Sequence, residues 1–88
     1  MYKDIYSEEI VWKFSKLKKK DPIQYSIALK KMDKIIANPS HRYKDLHHSM
    51  KGIKRVHIGH FVLIFRIDHE KQTIIFEDYD HHDNIYRN

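Results

Sequence analysis

The segment from Phe61 to Ile67 restricts the architecture more than any other. Phe61, Leu63, Phe65 and Ile67 form an unbroken apolar row at every second position, the period of a strand that buries one face. Two more alternating runs flank it. Gly59-His60 and the stretch Asp68 to Gln72 separate the three, and such turn residues between alternating runs predict antiparallel strands joined in succession. Parity then sorts the side chains. In the run before, Lys54, Val56 and Ile58 share one face and Ile53, Arg55 and His57 the other. Burying both Arg55 and His57 would be costly unless each were paired, so the second set is assigned to the open face. Val62, Ile64, Arg66 and Asp68 join it there. In the last run Ile74 and Phe76 are assigned to the core, and Ile75, Glu77 and Tyr79 to the open face.

A sheet with one apolar face needs a covering layer, and the upstream sequence supplies it. Met1 to Tyr6 reads as a first strand. Ser7 is an N-cap, followed by Glu8 and Glu9 where a helix favours anions. Ile10, Val11, Phe14 and Leu17 keep helical spacing, and Lys18 to Lys20 suit the C-terminal end. Trp12 falls off that stripe and is expected to be partly buried beside the sheet. Asp21-Pro22 restarts a helix as N-cap and N1. Its stripe is Tyr25, Ala28, Leu29, Met32, Ile35 and Ile36, and Asn38-Pro39 closes it. The expected fold is α+β, a single domain over residues 1–88: an N-terminal strand, a helical hairpin and a three-stranded antiparallel meander.

Charge narrows the function. The net charge is +5 with histidines neutral, a balance that favours nucleic acid, an anionic surface or an acidic protein. The chain has no cysteine, so neither disulfides nor a thiolate zinc site can form. It contains no apolar run near the roughly 20 residues that span a bilayer, and the N-terminus lacks a signal-peptide pattern. A cytoplasmic protein without membrane attachment is expected. Lys51, Lys54, Arg55, His57 and the His81-His82 pair suggest a polyanion site with a neutral-pH proton donor. A solvated turn or a metal site is the other reading of His81-His82 with Asp80 and Asp83; adjacent residues seldom converge on one ion, and no metal ligands are assigned. His41, His47, His48, His60 and His69 read as surface loop residues.

These residues resemble a known family. Gly52 to Phe65 matches in part the pattern G-x-x-R-x-R-x-G-x-Y-R-x-x-Y, and the end reads H-x-x-x-Y-R from His82. With the order strand, helical hairpin and meander, the chain resembles the RelE/ParE superfamily of type II toxins over nearly its whole length, and within it the RelE branch of messenger RNA interferases. The resemblance implies a ribosome-dependent endoribonuclease that cuts messenger RNA in the ribosomal A site. The implied chemistry is attack of a ribose 2′-hydroxyl on the adjacent phosphodiester, with no metal or other cofactor. It also implies a cognate RelB-like antitoxin and a toxin-antitoxin heterotetramer.

Carried over by position, the resemblance makes Arg55, His57, His82 and Tyr86 the catalytic set. Arg55 would stabilise the reacting phosphate or assist proton removal, His82 would be the general acid, and Tyr86 would stack on a base. Lys51, Lys54, Arg66, His81 and Tyr79 would contact RNA or its phosphates, and Ile53, Val62, Ile64 and Ile75 would form the antitoxin-binding face. Val62 stands where the family has an arginine that stabilises the transition state, and Phe61 replaces a common tyrosine. Either Arg66 or the histidines then compensate, or the chain is a weaker or differently acting member. Two other readings share the fold: a ParE-like toxin that binds a topoisomerase without chemistry, and a degenerate antitoxin-binding module.

Overall fold

The computed structural model describes residues 1–47 and 49–86. His48, expected on a surface loop, and Arg87, the last residue of the closing motif, lie outside that range. The elements run β1 (Lys3–Tyr6), α1 (Glu8–Lys20), α2 (Pro22–Ala37), β2 (Lys44–Asp45), β3 (Lys54–Ile58), β4 (Phe61–Asp68), β5 (Thr73–His81) and α3 (His82–Ile85). The fold is the expected α+β arrangement, with β2 and α3 added to it.

Local chemistry explains the boundaries. The Ser7 side chain accepts from the Ile10 amide at 3.1 Å and donates to the Glu77 carbonyl at 2.6 Å. One residue thus caps α1 and ties it to the sheet. Asp21 serves both helices: its amide donates to the Leu17 carbonyl at 2.8 Å, and its side chain accepts from the Gln24 amide at 3.1 Å. Gly59 turns the β3–β4 hairpin at φ +63°, in the left-handed region where a side chain is disfavoured.

The sheet has five strands in the order β1-β5-β4-β3-β2. β1 runs parallel to β5, and the other pairings are antiparallel. The helical hairpin covers one face. Ile10 and Phe14 from α1 and Ala28, Met32 and Ile35 from α2 meet Ile58, Leu63, Phe65, Ile74, Phe76 and Tyr79. Burying a Phe or Leu side chain contributes about 1.5–3 kcal/mol, so this layer dominates the stability. The two helical stripes are narrower than their spacing implies. Val11 is 58% exposed and Leu29 also reaches solvent. Trp12 is not partly buried beside the sheet; it is 56% exposed, with the Lys16 ammonium 3.9 Å from its ring centre.

Tyr79 departs from simple parity. Ile64 pairs with Asp78 but Phe65 pairs with Phe76, leaving Glu77 as an extra residue. Such a bulge shifts alternation by one. Tyr79 therefore turns into the core, 4% exposed, where Gln24 Nε2 donates to its hydroxyl at 2.8 Å and Phe61 stacks on its ring at 5.1 Å. It does not stand on the open face, and its ring is unavailable to a base.

The face opposite the helices is also more covered than expected. α3 turns back against β4 and β5. Val62 has no exposed surface and Ile64 only 8%, so neither lies on an accessible strip. Ile53 and Ile75 stay partly open and line a shallow hollow with Lys51, Arg66 and Glu77.

Candidate nucleic-acid site

β3 carries Arg55 and His57 on the same side, and their cross-strand partners are Ile64 and Val62. The fold of the chain end completes the site. The His82 amide donates to the His60 carbonyl at 2.8 Å, which fastens the start of α3 to the β3–β4 turn. The His81 side chain caps α3 by accepting from the Asp83 amide at 3.1 Å. One turn of helix then sets His82 and Tyr86 side by side, with ring centres 4.7 Å apart.

Three of the four expected catalytic residues meet as rings. The His57 and His82 rings stack at 5.7 Å and 29°, and His57 lies 6.5 Å from Tyr86 at 24°. His57 is exposed, yet partial desolvation by these neighbours lowers its pKa, and the charges of Arg55, His82 and Lys44 lower it further. Both effects disfavour the charged imidazole and so favour the form able to accept a proton. Beside it, Arg55 Nε and the Tyr86 hydroxyl are buried with no hydrogen-bond partner among the described residues. Buried donors usually have partners, so an arriving polar group such as a phosphate oxygen would satisfy them. Arg42, Lys44 and His47 line the adjoining hollow together with Arg55, which makes its potential positive.

The structure separates other residues from this cluster. His81 has the parity of Phe61 and Tyr79. Its ring meets Phe61 edge-on at 5.6 Å and stacks on His60 at 6.1 Å. The two adjacent histidines therefore point to different surroundings. Lys54 is engaged by Asp45 at 2.7 Å, and this contact is the main cause of the lowered Asp45 pKa. Arg66 faces Glu77 at 3.5 Å. It lies four strand positions from Val62, about 13 Å at the usual rise, too far to take the place of an arginine there. Among the residues considered for that compensation, the histidines are the ones at hand. Lys51 is exposed and lines the hollow of Ile53 and Ile75.

One site residue escaped the sequence reading. His47, expected on a surface loop, meets Tyr86 edge-on at 5.8 Å. Only the long-range packing of the β2–β3 connection on the chain end brings the two together, and no local spacing signals it. Among the described residues, no group of three or more His, Asp or Glu side chains is arranged to hold a metal ion. No helix among them is long and apolar enough to cross a membrane.

No protein-family model matches the chain. Among curated proteins it is 54% identical over 79 residues to an uncharacterised protein of Methanosarcina mazei, covering 89% of this chain and 91% of the relative. It is 51% identical over 73 residues to the candidate toxin RelE4 of Methanocaldococcus jannaschii, covering 82% and 77%. Two solved structures share the fold. The toxin-antitoxin complex RelBE2 of Mycobacterium tuberculosis matches with a TM-score of 0.73 at 21% identity, over 91% of this chain and 96% of that one. The isolated RelE toxin of E. coli matches with a TM-score of 0.75 at 14% identity, over 92% and 84%. The chain belongs to the RelE family of toxins, in an archaeal-type lineage.

Proposed function

We propose that the protein is a ribosome-dependent endoribonuclease that cuts messenger RNA in the A site without a metal. The observation that carries this reading is the stacked His57–His82 pair beside the unpartnered donors of Arg55 and Tyr86. His57, whose surroundings favour the neutral imidazole, takes the proton of a ribose 2′-hydroxyl. The 2′-oxygen then bonds to the adjacent phosphorus. Arg55 donates to the phosphorane oxygens as their charge grows, an interaction whose removal typically costs 10²- to 10³-fold in rate. The bond from phosphorus to the 5′-oxygen breaks, and His82 protonates that oxygen. The products are a 2′,3′-cyclic phosphate and a free 5′-hydroxyl. Tyr86 holds an unstacked base against its ring, as aromatic side chains do with single-stranded RNA.

The partner in this reading is a RelB-like antitoxin, in keeping with the M. tuberculosis structure being a toxin-antitoxin complex. An amphipathic segment suits the hollow, where Ile53 and Ile75 are flanked by Lys51 and Arg66 on one hand and Asp68 and Glu77 on the other. A heterotetramer in the cytoplasm, where translation takes place, completes the proposal. Expression without antitoxin should arrest growth, with messenger RNA ends mapping inside codons. Arrest with intact messages would instead favour a topoisomerase-binding toxin. No arrest at all would favour a degenerate module, the reading to which the buried Val62 lends weight.

A further inference from the structure

α3 has four residues, far fewer than the roughly 12–15 an isolated helix needs to be even marginally stable. Its position must therefore be fixed by contacts outside itself. One is the His82–His60 backbone bond already described. Another begins on α1. The Lys13 ammonium lies 2.8 Å from Asp78 Oδ1 and 3.0 Å from Asp80 Oδ2, with Glu9 3.5 Å away on the preceding turn. Asp80 Oδ1 accepts from the His81 amide at 2.7 Å and from Asn84 Nδ2 at 2.9 Å. Asn84 sits in α3, midway between His82 and Tyr86.

This network occupies the part of β5 beyond β1, whose last partner is Phe76. Past that point β5 has no neighbouring strand on that side among the described residues, and the carboxylates of Asp78 and Asp80 take the amides of Tyr79 and His81. Burial alone would raise the Asp80 pKa, but bonds from Asn84, Lys13 and the His81 amide outweigh it and keep the group ionised. The carboxylate is thus used on both oxygens, toward α1 on one and toward α3 on the other.

We propose that Lys13, Asp80 and Asn84 form a positioning latch that sets α3 so that His82 and Tyr86 stand against His57. None of the three touches substrate. Their effect on rate rests on the ribonuclease reading of that site, while their effect on ring geometry does not. The decisive variant is Asn84→Ala in the full chain, because Asn84 is exposed and its loss leaves the core untouched. Nuclear Overhauser contacts between the His57 and Tyr86 rings should disappear while the melting temperature stays unchanged. Cleavage of ribosome-bound message should fall about tenfold or more in kcat, with little change in KM. Asn84→Gln, which keeps the amide donor, should recover part of both signals, and Lys13→Met should loosen the same ring contacts. Ring contacts and kcat that match the wild type in Asn84→Ala overturn the latch. If the wild type cuts no RNA but Asn84→Ala still frees the rings, the latch stands and the ribonuclease reading falls.

Discussion

On the helix-covered face of the sheet, Leu63, Phe65, Ile74 and Phe76 expose no surface. On the other face, Arg55 and Tyr86 bring polar atoms inside and leave them without partners among the described residues, and the pKa of an imidazole is shifted below its ordinary value. The first face meets every demand of its residues and defines the fold. The second leaves demands unmet and is the natural place for a ligand to meet them. Substitutions should separate the two: core changes cost stability first, and site changes cost activity with the fold intact.

The largest effect should come from the core. Phe65→Ala should cost about 3–5 kcal/mol through lost burial and the cavity left behind, a large share of the stability of a chain this small. Urea denaturation would measure it, and a cost below about 1 kcal/mol would mean that the helical layer is loosely packed. Across the sheet, Arg55→Ala should lower the rate of RNA cleavage about a hundredfold or more while the urea midpoint hardly moves. A matching loss of stability would make Arg55 a structural residue and erase the distinction between the faces.

Tyr86 gives a graded test. Tyr86→Ala should reduce cleavage by an amount on the order of the 1–3 kcal/mol that base stacking supplies, and Tyr86→Phe should be milder because the ring remains. Equal losses would shift the role to the hydroxyl. The smallest effect concerns pH. Folding lowers the His57 pKa below its unfolded value of about 6.5. Between those two values the unfolded chain binds more protons, so stability should rise with pH across that window and level off above it. His57→Gln should flatten that slope. An unchanged slope would place the titration elsewhere.

Much of this was legible in sequence because it depends on local rules. Ser7, Asp21-Pro22 and the alternation in β4 each specify structure over a few residues, and the elements formed there. Tyr79 was misplaced because a bulge inverts parity, and the extra residue, Glu77, carries no local mark of it. Val62 and Ile64 were placed on the correct side of the sheet, but their burial follows from α3 folding back, a tertiary event in a segment too short to announce itself. The gathering of His57, His82 and Tyr86 was anticipated through a family resemblance. The ring distances, the entry of His47 and the separation of His81 from His82 came only with the packing.

The central claim is that the face of Arg55, His57, His82 and Tyr86 performs metal-free RNA cleavage. The most direct measurement is the end chemistry of messenger RNA cut on programmed ribosomes in the presence of a chelator, for the wild type and for His82→Ala. The account predicts 2′,3′-cyclic phosphate and 5′-hydroxyl ends from the wild type. It predicts none above background from the folded His82→Ala protein. Undiminished cleavage by His82→Ala, or a wild type that the chelator silences, would contradict it.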